Sequence, residues 1–207
     1  MITRIFCIFG LLTLIWTKGY SCYQTKYLTT LIEESEIIVY GKIIGVNKET
    51  FQIVSLKTIK SKSEFDTLTI LQFGNWTCAE RYADYEIGQE AIFFFAKDEN
   101  MNLRPIGSGN EGELIVKKDS AYISNYVQTN FLAKKVDFIS DYDEFIAVDI
   151  NTIIQGLEIY LANIDFIGKN IKSKNKRATK YQHSNIEKLP KNYFLSIVFD
   201  QMQRGLY

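Results

Sequence analysis

Residues 91 to 96 read Ala-Ile-Phe-Phe-Phe-Ala, an unbroken apolar run entered from Gly88-Gln89 and ended by Lys97. At this length, rich in phenylalanine and bounded by a turn, the run is a strand, and successive strand side chains point to opposite faces. Both faces of this strand are apolar, so both must be covered. A lone hairpin or a sheet with one wet face cannot supply that cover. The chain therefore needs a sheet with something packed on each side.

The rest of the sequence is organised around that strand. Thr25 to Ser35 reads as a helix with Leu28, Leu31, Ile32 and Ser35 on one face. Glu36 to Val46 is β-branched and apolar, and Gly41 in its middle marks a bulge or a sharp bend. Phe51 to Ile59 alternates, and Leu68 to Phe73, Leu103 to Ile106, Glu113 to Val116 and Ala121 to Val127 are further short strands separated by polar turns. Short strands at such spacing predict a closed barrel or a sandwich. After residue 128 the character changes. Asn151 to Ile164 carries Ile153, Ile154, Leu157, Leu161 and Ile164 at helical spacing, with Asn151 or Thr152 as cap, and Tyr193 to Leu206 is a second helix. Between them, Lys169 to Lys191 holds eight Lys or Arg and one acid, Glu187, and reads as a solvated connector. The fold class is α+β, and the two apolar strands place Ile38, Tyr40, Ile43, Phe93 and Phe95 in the core.

The first 21 residues stand apart. Arg4 precedes a twelve-residue apolar run, Ile5 to Trp16, which is shorter than the roughly 20 residues a membrane helix needs. Gly19 and Ser21 then sit at −3 and −1 of a cut before Cys22, the spacing a signal peptidase accepts. Residues 1 to 21 are expected to be a signal peptide and the protein exported, either secreted, periplasmic or at the cell surface. Lipidation of Cys22 is an alternative, although Gly19 stands where a lipobox prefers leucine. Removing Arg4 and Lys18 leaves 22 basic against 24 acidic side chains, which gives no general pull toward nucleic acid or an anionic membrane. No later stretch reaches membrane-spanning length. Two cysteines then remain, Cys22 and Cys78. In an oxidising compartment such a pair forms a disulfide as a rule. Two separate thiols, or a lipidated Cys22 with a buried Cys78, are the other arrangements.

The inventory for catalysis is thin. There is no Gly-x-Ser-x-Gly elbow, no His-Glu-x-x-His helix and no Gly-x-x-x-x-Gly-Lys loop. The single histidine, His183, falls in the basic connector. Gly107 to Gly112 is too short for a dinucleotide fingerprint and reads as a turn, and Asp137, Asp141, Asp143 and Glu144 lack the glycine and closing glutamate of a calcium loop. Two cysteines and one histidine do not make a structural zinc site. Asn75-Trp76-Thr77 is a formal glycosylation sequon, read here as a turn before Cys78. The expectation is no enzyme, no cofactor, no metal and no nucleic-acid partner.

From Cys22 to about Val116 the chain resembles the tissue-inhibitor-of-metalloproteinases (netrin-like) domain, in the reduced form found in secreted bacterial proteins. A cysteine opens the segment, and a short helix leads into Ser35-Glu36-Ile37-Ile38-Val39-Tyr40-Gly41-Lys42-Ile43. A second strand ends in Lys57 to Lys60, and Cys78 precedes Gly88-Gln89-Glu90-Ala91-Ile92-Phe93-Phe94-Phe95-Ala96. The resemblance implies an OB-like closed β-barrel over residues 22–128 with an N-terminal helix, a helical extension over 129–207 with the connector 169–191, and a Cys22–Cys78 disulfide. It also implies that Cys22 could chelate a metalloprotease zinc through its α-amine and carbonyl while Tyr23 enters the specificity pocket. The family's Cys-x-Cys start is absent here, since the chain reads Cys22-Tyr23-Gln24. The leading expectation is a non-enzymatic binding module acting on a protein partner. Inhibition of a zinc metalloprotease is the alternative.

Overall fold

A computed structural model of the chain describes residues 26–74, 81, 83–107, 111–124, 145–167 and 191–203. The expected signal peptide, Cys22, Tyr23, Cys78, the sequon, the acidic cluster at 137–144, His183 and nearly all of the connector lie outside the described residues.

The described residues form one eight-stranded antiparallel sheet. Its strands are β1 (Ile37–Val46), β2 (Thr50–Lys60), β3 (Thr67–Leu71), β4 (Glu90–Lys97), β5 (Leu103–Pro105), β6 (Glu113–Lys117), β7 (Ser120–Ser124) and β8 (Phe145–Asp149). The order is β3-β2-β1-β4-β6-β7-β8, with β5 off that path beside β4. Strand β4, the apolar run, is the centre. Its Glu90 to Phe95 pair with β1 on one edge; on the other edge Glu90 to Phe93 pair with β6 and Phe95 to Lys97 with β5. The register of β1 against β2 slips three times, once between Tyr40 and Gly41, so the bend expected at that glycine is present as a bulge.

These bulges curl the first strands, and β3 comes within contact distance of β5. No ladder joins the two, and the sheet is open among the described residues. The expected closed barrel is corrected accordingly, and the strand lengths supply the reason. β5 has three residues and ends in Pro105, which has no N–H to donate, while the other half of the same β4 edge is taken by β6. The sheet therefore runs on through β6, β7 and β8 instead of closing. A second correction concerns Phe145–Asp149, expected within a helical extension and found as strand β8 beside β7.

Both faces of β4 are covered. Ala91, Phe93 and Phe95 point into the curl with Val39, Ile43, Phe51, Ile53 and Ile70. Phe93 and Phe95 stack at 5.3 Å between centroids. Ile92 and Phe94 point the other way, into a larger cluster with Ile38, Leu114 and the helices. Of the five core residues expected, Ile38, Ile43, Phe93 and Phe95 are buried. Tyr40 is only half-buried, since it packs against the edge of the helix-side cluster while its hydroxyl donates to Glu90 at 2.6 Å.

The cover on that second face comes from both ends of the chain. Helix α1 (Leu28–Glu34) buries Leu28, Thr29, Leu31 and Ile32. Tyr27 offers it no side-chain cap, so Gln201 does the work from 173 residues away, accepting from the Leu28 N–H at 3.1 Å. At the other end Lys60 donates to the carbonyls of Ile32 and Glu33, which places a cation at the negative end of the helix. Helix α2 (Ile150–Ala162) starts directly after β8, and its cap is Asp149, whose carboxylate accepts from the Thr152 N–H at 2.9 Å. The cap expected at Asn151 or Thr152 is thus one turn-start too late, since the strand runs to Asp149. A short α3 (Ile164–Ile167) follows, and α4 (Tyr193–Gln203) packs on α2. That contact needs Gly156: a Cβ there would stand 2.6 Å from Phe194 and 2.7 Å from the Asn192 amide oxygen.

Candidate binding surface

The segment before β4 is held by a buried ion pair. Arg81 Nε and Nη2 both donate to Glu113 Oε2, at 3.0 and 2.8 Å, and the two side chains are 3% and 0% exposed. Nη2 also donates to Gln89 Oε1 at 3.1 Å, and Nη1 to the Ala83 carbonyl. The guanidinium lies 3.8 Å from the centre of the Tyr85 ring, which stacks in turn on Phe51 at 4.3 Å. The Tyr85 hydroxyl donates to Glu113 Oε1 at 2.7 Å and accepts from the Phe73 N–H at 3.1 Å. Burial first, and then the Glu113 carboxylate, push this hydroxyl far above its ordinary value, so it stays a donor.

On top of that network sits a tight turn. The Gln89 N–H donates to the Glu86 carbonyl at 3.2 Å, and Gly88 has φ 96°, a left-handed value that glycine adopts without strain. The Gln89 side chain accepts from the Glu86 N–H at 3.3 Å and donates to the Asp84 carbonyl at 3.1 Å. Two backbone bonds of 2.8 Å, Gly88 N–H to Ile43 and Ile43 N–H to Gln89, join the turn to β1. The residue at its tip, Ile87, is 71% exposed.

Beside the turn lies a cleft of about 640 Å³, lined among others by Glu86, Ile87, Glu90, Ile115, Lys118 and Asp119. Its far lip is the two-residue turn between β6 and β7, where Lys118 and Asp119 have φ 48° and 61°. Two successive left-handed residues match the twist of a hairpin, but the position favours Asn-Gly or Asp-Gly. The near wall holds Glu90, whose carboxyl is pulled below its ordinary value by the Tyr40 hydroxyl and then by Lys42, 3.1 Å away.

Among the described residues no group of three or more His, Cys, Asp or Glu is placed to hold a metal ion, and no helix is long and apolar enough to cross a membrane. The residues singled out in the sequence, Cys22, Tyr23 and Cys78, cannot be placed, but the described residues that flank them converge. The Lys26 N–H donates to Glu111 Oε2 at 3.3 Å, and Glu113, two positions along the chain, holds Arg81. Sequence reasoning missed Arg81, Tyr85, Ile87 and Glu113. The Ile87-Gly88 pair carries a signal for the turn, glycine at its third position. Nothing local pairs Arg81 with Glu113. No family model, no curated protein and no solved structure matches this chain.

Proposed function

We propose that this chain is an exported, non-enzymatic binding module that contacts a protein partner through the turn at Ile87 and the cleft beside it. The observation that carries the reading is an apolar side chain left 71% exposed on a turn that two backbone bonds tie to β1 and that Gln89 ties to the buried Arg81–Glu113 pair. Burying an isoleucine side chain is worth roughly 1.5–3 kcal/mol, and a loop already fixed in place has little conformational freedom left to lose on binding. The test places a photo-crosslinking residue at position 87 of the full-length chain, with the exposed apolar Leu56 as control site. Capture of one protein at 87 and not at 56, with binding that falls at least tenfold on Ile87→Asp, is expected. No capture, or equal capture at both sites, sinks the reading.

A second reading, zinc metalloprotease inhibition by Cys22 and Tyr23, is favoured by the convergence of the two cysteine-flanking segments on the start of β6. Lys26 is held there by Glu111 and also pairs with Glu34 at 2.7 Å, an anchor for an N-terminal edge. The run β3-β2-β1-β4-β5, with β3 close to β5, supports an OB-like curl beneath that edge. The test titrates the protein with an unblocked Cys22 against zinc endopeptidases, beside a form with one extra N-terminal alanine. Nanomolar inhibition abolished by the alanine establishes this reading; equal inactivity of both forms removes it.

A further inference from the structure

We infer that the cleft is filled by a second copy of this chain, in a two-fold dimer in which Ile87 of each protomer enters the cleft of the other and Glu86 of each meets Lys118 of the other. The inference rests on the Ile87 turn being a contact surface and names what covers it. One continuous patch carries a projecting apolar side chain, an open hollow with Ile115 in its wall, an acidic lip and a basic lip. A two-fold axis sets the same patch against itself, so such an interface must be self-complementary. This patch carries both halves of such a match, since the exposed Ile87 and the carboxylate Glu86 line the same cleft as the cation Lys118. A foreign partner would have to match both signs and both shapes independently.

The other charges at the cleft fit the same arrangement. Glu90 is already engaged by Tyr40 and Lys42, and the far lip carries Lys117 as well as Lys118 against the one carboxylate of Asp119. Asp84 adds a second exposed carboxylate next to Glu86 on the acidic side.

The test is sedimentation equilibrium of the purified exported protein from about 1 µM to about 500 µM, a range that brackets micromolar self-association. A monomer–dimer equilibrium is expected. Ile87→Asp should raise its dissociation constant at least tenfold, and Leu56→Asp should leave it unchanged. Glu86→Lys and Lys118→Glu should each weaken the dimer several-fold, and the double variant should recover most of the loss, which no folding defect would do. A wild-type protein that stays monomeric throughout overturns the inference, as does a dimer indifferent to Ile87→Asp or a double variant no better than its parents. Monomeric protein with specific foreign capture at position 87 removes the dimer and keeps the contact surface; failure of both removes both.

Discussion

Arg81 and Glu113, 32 residues apart in the chain, form an ion pair closed off from solvent, with Nη2 2.8 Å from Oε2. Neither charge is left with one partner only, because Gln89 and the Ala83 carbonyl share the guanidinium and Tyr85 donates to the other carboxylate oxygen. Breaking such a pair from one side leaves a charge buried without compensation, which costs about 3–5 kcal/mol. Glu113→Gln or Arg81→Met should therefore destabilise the protein by that amount in urea titrations. The double change Arg81→Met with Glu113→Leu should cost clearly less than the two singles together. Singles within about 1 kcal/mol of wild type would mean that water reaches the pair.

The two faces of β4 should respond separately. Phe93→Ala, Phe94→Ala and Phe95→Ala should each cost about 3–5 kcal/mol, since all three rings are fully buried. Phe93 and Phe95 stack in the curl, so their double variant should depart from additivity; Phe93 with Phe94, in different clusters, should come closer to a simple sum. Equal coupling in both pairs would show that the two clusters act as one core.

Alkaline pH should unfold the protein through its tyrosines. The Tyr40 hydroxyl is pushed up to about 12 from 10.0, by burial first and then by Glu90, to which it donates. Burial also raises Tyr85 and Tyr160. A group whose pKa is higher in the folded than in the unfolded state gives stability that is complete below the unfolded value and lost as pH rises through the folded one. Urea midpoints should accordingly fall from about pH 10 upward, and Tyr40→Phe should flatten the part of the loss that lies between 10 and about 12. Tyrosinate absorbance that rises for every tyrosine near pH 10, with the protein still folded, would contradict this.

Cys22 and Cys78 should be joined in the exported protein. Alkylation without reduction should leave both unlabelled, and reduction should lower stability by about 4 kcal/mol for a loop of this length. Two labelled thiols on the native, unreduced protein would refute the pairing.

The positions of the first seven strands and of α1, α2 and α4 follow from local patterns, because each segment's apolar spacing matches the periodicity of its element. Ala91 to Ala96 is the clearest case: six apolar residues in a row permit only a strand covered on both sides, and both sides are covered. Local pattern also marked the bulge at Gly41. It could not show that Phe145–Asp149 joins β7, since its few residues next to an acidic stretch have no period long enough to separate a strand from a helix start. Closure of the sheet was equally beyond it. Whether β3 bonds to β5 depends on which strand captures the far edge of β4, and that edge is divided between β5 and β6. Capping by Gln201, the Arg81–Glu113 pair and the exposure of Ile87 belong to the tertiary structure alone. Periodicity carries information over a few residues, whereas each of these contacts depends on segments 32 or 173 residues apart being brought together, or on what the assembled sheet leaves uncovered.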